Sequence, residues 1–155
     1  MPLKKFLIIT LTITILSSIF YLLSIFKAQK LDKIEVNIKD KNYKLEIADT
    51  VSSRAKGLSR RKHLCSNCGM LFVFNRPAYQ IFWMKDTLIP LDIIFLDKDK
   101  KITAIHQAQP QPHTPILKLK RYGSQQPSLF VIELKAGQSQ KIGLQIGQTI
   151  NFDYE

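Results

Sequence analysis

The stretch QIFWMKDTLIPLDIIFLDKD, residues 80–99, sets Lys85, Asp86 and Thr87 between the apolar runs Phe82-Trp83-Met84 and Leu88-Ile89. Farther along, Asp92 stands between Leu91 and Ile93. A cation, two carboxylates and a hydroxyl beside aromatic rings are the groups that line ligand pockets. There the apolar walls supply affinity and a few polar groups fix orientation. With Arg54 as a second cation, the candidate ligand-binding set is Arg54, Phe82, Trp83, Lys85, Asp86, Thr87 and Asp92. A carboxylate with apolar neighbours is costly to bury unless a cation or several donors meet it, and Lys85 and Arg54 are the cations at hand. The plainer reading makes Asp92 an organiser of its loop through backbone hydrogen bonds and leaves Lys85 in solvent. No nucleophile or acid partner accompanies Asp92, so the set reads as a binding site with no catalytic residues.

A second feature is Leu64-Cys65-Ser66-Asn67-Cys68-Gly69, a single C-x-x-C. A zinc site wants four ligands. His63 with His106 or His113 would have to complete a set across the fold. A redox motif needs its cysteine at a helix N-terminus in a βαβ setting, whereas here a loop runs into a strand. The leading expectation is a small structural disulfide between Cys65 and Cys68, with thiol or zinc chemistry as the alternative. No metal and no cofactor is expected.

The elements that must position these groups emerge from periodicity. Residues 33–38 and 43–47 alternate apolar with polar and are separated by Asp40-Lys41-Asn42, which predicts a hairpin with one buried face. Residues 49–57 begin with good N-caps and end on glycine, which predicts one short helix. Residues 70–74 (MLFVF) form a continuous apolar run, as in a strand buried on both faces. Further strands are predicted at 81–84, 91–96, 102–106, 129–134 and 149–154. Pro110, Pro112 and Pro115 punctuate a long loop over 107–126, of the length that is usually functional or mobile. The expected fold class is mainly β, a compact β-sandwich or partly closed barrel with one short helix.

Ahead of this domain, residues 6–26 (FLIITLTITILSSIFYLLSIF) carry no charge and no proline. As a helix they span a hydrocarbon core of roughly 30 Å. The run is longer than a signal-peptide core and lacks a good cleavage site, so residues 1–30 read as an uncleaved signal-anchor and 31–155 as the domain. Lys4 and Lys5 on a short N-terminal tail favour an inside N-terminus and export of the domain. The expected location is the cell membrane, single-pass, with the domain extracytoplasmic. A net charge of +11 is large for 155 residues. Its lysines and arginines are spread along the chain, with no recognition-helix or zinc-finger pattern, so a solvated basic face near anionic head groups is expected and nucleic acid is not. The partners that remain are the membrane, a small ligand or an envelope protein.

Three segments together resemble the domain-of-unknown-function-192 family. They are Arg54-x-x-Gly57-Leu58, then Gly69-Met70-Leu71-Phe72-Val73-Phe74, then Phe82-Trp83-Met84-Lys85-Asp86-Thr87-Leu88-Ile89-Pro90-Leu91-Asp92. Glu133-Leu134-x-Ala136-Gly137 and Ile146-Gly147 fit the same pattern, so the resemblance covers roughly 34–152. It implies a compact mostly-β domain, often exported or membrane-anchored, with no established activity. In two respects this chain departs from the family pattern: Asp86 stands where asparagine is frequent, and Cys65 and Cys68 lie outside it.

Overall fold

The computed structural model describes residues 10–19 and 31–154. The chain divides into two units, Met1–Lys30 and Leu31–Glu155. In the first, residues 10–19 are helical, with Thr14 Oγ1 donating to the Leu11 carbonyl at 2.8 Å. The rest of the expected anchor, 6–26, lies outside the described residues. Among the described residues no helix is long and apolar enough to cross a membrane.

The second unit is mainly β. Strands β1 (Lys33–Ile38) and β2 (Lys41–Ala48) form the expected hairpin, and α1 (Val51–Lys56) comes at once after it. Its start is a capping box. Thr50 Oγ1 accepts from the Ser53 backbone N–H, and Ser53 Oγ accepts from that of Thr50, each at 3.0 Å. Such a box pairs two N–H groups that a helix start otherwise leaves open. Then come β3 (Cys68–Ala78), β4 (Ile81–Trp83), β5 (Leu91–Leu96), β6 (Ile102–Ala108), β7 (Arg121–Gly123), β8 (Ser128–Lys135) and α2 (Gln138–Lys141).

Six strands form one sheet in the order β1-β2-β3-β8-β5-β6, with β2 and β3 parallel and the other pairs antiparallel. The remaining two, β4 and β7, make a separate antiparallel ribbon. This is neither a closed barrel nor a sandwich of two comparable sheets. The expected last strand, 149–154, is also absent: a single bridge joins Thr149 to Lys101. Its alternation has another cause. Ile150 and Phe152 point into the core and help cover one face of the sheet, so period two here records packing and not a ladder. Conversely, β7 lies inside the proline-rich loop, and α2 inside the glycine-bearing linker.

Side chains of a strand alternate between faces, so the sheet separates two cores. Leu45, Leu71, Ile94 and Ile132 belong to one, closed by Ile150 and Phe152. Met70, Phe72, Ile93, Phe95 and Val131 belong to the other, against which Leu58, Met84 and Tyr122 pack. His106 ties the ribbon to this second face. Its Nε2 lies 2.9 Å from the Gly123 carbonyl, and its ring meets Phe95 and Tyr122.

Gly69 marks the tightest point between strands. A methyl group there would collide with the Glu133 carbonyl oxygen and sit 2.8 Å from side-chain carbons of Leu45 and Leu134. Glycine inside a strand serves such close approach. Gly69→Ala is expected to destabilise the domain by about 2–3 kcal/mol, because backbone has to move to admit it. Urea unfolding followed by circular dichroism measures this, and an unchanged midpoint would contradict the contact.

Candidate functional site

On the second face, between α1, the β4–β7 ribbon and the sheet, lies a cleft of about 450 Å³. Its apolar wall is an aromatic cluster. The Phe82 ring meets Phe72 edge-on at 4.9 Å and Phe95 at 5.6 Å, with Phe74 at 6.4 Å. Edge-to-face pairs at these separations are the preferred aromatic geometry, so the wall is fixed in shape. β4 is short, and its alternation turns Phe82 inward while Ile81 and Trp83 stay largely exposed at the rim.

Of the residues singled out from sequence, Arg54, Phe82, Trp83, Lys85, Asp86 and Thr87 all line this cleft. Arg54 reaches it from α1. Its Nη1 donates to the Val73 carbonyl at 2.8 Å and to that of Asp49, and its guanidinium stacks over Phe74 at 5.1 Å. Part of its donor set is therefore spent on holding the wall. Lys85-Asp86-Thr87 is the turn that leaves β4. Asp86 has φ 52°. This is the left-handed region that Asp and Asn tolerate among L-residues, which explains why either suits this position. Thr87 is buried, its N–H donating to the Met84 carbonyl at 3.1 Å and its Oγ1 to that of Lys85 at 3.3 Å.

Asp92 is not in the cleft. On β5 it faces opposite to Leu91 and Ile93, and those two pack on the cleft side of the sheet. There Asp92 is fully buried and accepts from Ser139 N–H at 2.8 Å, Ser139 Oγ at 2.7 Å and Gly137 N–H at 3.1 Å. Neither Lys85 nor Arg54 meets its charge. It is the anchor of the turn into α2, where Gly137 takes φ 84°. The plainer of the two sequence readings describes it.

In its place the cleft holds a carboxyl that sequence reading missed. Glu133 on β8 is 5 % exposed and lines the cleft. It sits mid-sheet, in a row that runs Glu46–Met70–Glu133–Ile93–His106 across β2, β3, β8, β5 and β6. No described residue donates a hydrogen bond to its carboxyl, and no side-chain oxygen sealed from solvent goes unpaired among the described residues. Its oxygens therefore open onto the cleft. Burial pushes this carboxyl up to about 8, against the weaker opposing pull of Arg61. Arg61 itself is committed to Glu46 in a two-pronged pair, with Nη1–Oε1 at 2.9 Å, and that pairing holds the Glu46 carboxyl below its usual range. The signal for Glu133 was present in the sequence, since it stands between Ile132 and Leu134 as Asp92 stands between Leu91 and Ile93.

Cys65 and Cys68 are joined by a disulfide, with Cα atoms 5.1 Å apart, just where the chain enters β3. Among the described residues no group of three or more His, Cys, Asp or Glu is placed to hold a metal ion.

Two solved structures resemble the chain. One, from Novosphingobium aromaticivorans DSM 12444 and of unknown function, is 28% identical with a TM-score of 0.67. The match covers 82% of this chain and 89% of that one. The other, from Sinorhizobium meliloti 1021 and described as a proposed transcription regulator, is 29% identical with a TM-score of 0.67. Here the match covers 79% of this chain and 95% of that one. No curated protein matches the chain significantly. The family model described as "Uncharacterized ACR", DUF192, matches residues 34–152, and the chain belongs to that family.

Proposed function

We propose that this chain is a membrane-tethered ligand-binding module. In this reading residues 1–30 act as an uncleaved signal-anchor, the 31–155 domain lies on the extracytoplasmic side, and the aromatic cleft takes a small amphiphilic molecule. One observation carries the binding role: a buried carboxyl, Glu133, with no side-chain partner, opens into an aromatic-walled cleft of ligand size. Burial there disfavours the charged form of the carboxyl, and a ligand group that accepts its proton in a hydrogen bond suits the neutral form. Arg54, Lys56 and Lys85 line the same cleft against Asp86 as the other acid. With Glu133 largely protonated at neutral pH, the balance favours a ligand with an anionic group and an aromatic or alkyl body. Glu133 would donate its proton in a hydrogen bond to that ligand, with Phe72 and Phe82 against the body.

The description of the S. meliloti relative raises nucleic acid as a partner. Among the described residues of the 31–155 domain the longest helix has six residues, too short for a recognition helix in a major groove, and the sequence carries no zinc-finger spacing. The domain is read as binding no nucleic acid.

The test is calorimetric titration of the full chain in detergent with a panel of aromatic and medium-chain carboxylates and phosphates. Micromolar binding is expected for some members. Lys85→Glu, a change at an exposed position, should weaken those by about tenfold or more through like-charge repulsion. If no member binds, or if Lys85→Glu and Glu133→Gln bind as wild type does, the cleft is not the site.

A further inference from the structure

The outward face of the β4–β7 ribbon differs from the rest of the surface. Phe82 and Tyr122 turn inward, while Ile81, Trp83 and Arg121 stay outside, and Trp83 pairs across the ribbon with Arg121, whose guanidinium lies 5.2 Å over the indole. Beside it runs the proline-punctuated loop. A bridge between Lys85 and Gln111 fastens that loop to the turn after β4, and Gln111 Oε1 accepts from the Lys120 N–H at 3.0 Å. At its tip a single 3-10 turn, Ile116–Lys118, projects Leu117 at 94 % exposure, with Ile116 half exposed beside it. Pro115, with φ −56°, precedes the turn.

Charge traces the same outline. Lys118, Lys120 and Arg121 come directly after the apolar tip, and no acidic residue occurs between Asp99 and Glu133. Asp86 on the adjoining turn is outnumbered by these cations and Lys85. Aliphatic side chains projecting from a convex tip, a tryptophan at its flank and a collar of lysine and arginine suit the boundary between lipid headgroups and acyl chains. A protein partner fits less well. Stable protein interfaces bury about 800 Å² on each side, whereas this tip offers two aliphatic side chains on one turn.

We infer that the 116–121 tip and the outer face of the β4–β7 ribbon form a lipid-contacting surface that inserts Leu117 and Ile116 into an anionic bilayer. This surface is separate from the cleft interior and does not depend on what the cleft binds. It sets the cleft mouth, through their shared Trp83, against the membrane.

Trp83 is the sole tryptophan of the chain, so the emission reports on this face and the adjoining cleft mouth, and Leu117→Asp separates the two. The experiment reconstitutes the full chain in phosphatidylcholine vesicles with brominated acyl chains, with and without phosphatidylglycerol, and reads quenching of Trp83 emission. Quenching is expected to rise with phosphatidylglycerol and to fall at high salt. Each charge removed in Lys118→Gln and Lys120→Gln should lower the contact equilibrium about fivefold. Leu117→Asp, at a position too exposed to disturb folding, should abolish the response while the circular dichroism spectrum stays unchanged. Equal quenching in neutral and anionic vesicles, or an unaltered response in Leu117→Asp, would overturn the inference. So would an emission change on adding soluble polyglutamate with none from any lipid, which would assign the face to an acidic protein.

Discussion

A Glu133→Gln variant melts about 5–15 °C above wild type at pH 9 and within a few degrees of it at pH 5. The reason lies in where the proton sits. In the unfolded chain the Glu133 carboxyl ionises near its ordinary value of 4.5, whereas in the folded domain burial holds its proton up to about 8. Between those values the unfolded state binds fewer protons than the folded one, so stability falls as pH rises. The contribution is fully present below 4.5 and gone above about 8. The gap is worth at most about 5 kcal/mol. Glutamine keeps the shape and never ionises, so its advantage grows with pH, and comparing the two proteins at each pH cancels every other titrating group. Melting curves by circular dichroism at pH 5, 7 and 9 decide the matter. Parallel curves would show that Glu133 is not held in a charge-excluding site. The same proton matters for binding, because a neutral carboxyl can donate to an anionic ligand where a carboxylate would repel it.

Asp92→Ala lowers the unfolding free energy by about 3–4 kcal/mol, with no pocket role involved. The carboxylate is fully buried and accepts from three donors, two of them backbone N–H groups at the start of α2. Alanine leaves the Gly137 and Ser139 N–H groups without their acceptor, that of Ser139 in a buried place. The nearby network suffers too. Gln138, inside the same turn, takes hydrogen bonds from Lys41 Nζ at 2.6 Å and from the buried Tyr43 hydroxyl at 3.2 Å. Asp92→Asn keeps one acceptor oxygen and should fall between wild type and Asp92→Ala. Guanidinium unfolding measures the series. Ligand binding at the cleft should be unaffected in whatever fraction folds, and a change of affinity at constant stability would contradict the assignment.

These two carboxyls show how far the sequence could be read. Asp92 and Glu133 give the same local signal, an acid between two large aliphatic residues on a strand. One is met by three donors and the other opens onto a cleft. Nothing local distinguishes them, because the partners of Asp92 lie more than forty residues away along the chain. Phe82, Trp83, Lys85, Asp86 and Thr87 were legible as a group because a strand end and its turn keep neighbours in sequence neighbours in space. Arg54 was legible through the resemblance and through its place on a capped helix.

Local chemistry alone determined the β1–β2 hairpin, the α1 helix with its Thr50–Ser53 cap, the buried strands β3, β5 and β8, and the family to which the chain belongs. Each of these depends on contacts within a few residues or on side-chain alternation along one strand. Tertiary structure decided the rest: one six-stranded sheet with a separate ribbon, the 149–154 segment laid over a face and not added to an edge, the face on which each carboxyl falls, and Glu133 as the cleft's acid. Those outcomes depend on which strands pair. In the row from Glu46 through Met70 to Glu133, β2 and β3 run parallel and β3 and β8 antiparallel. Residues far apart in the chain become neighbours only once that register is set.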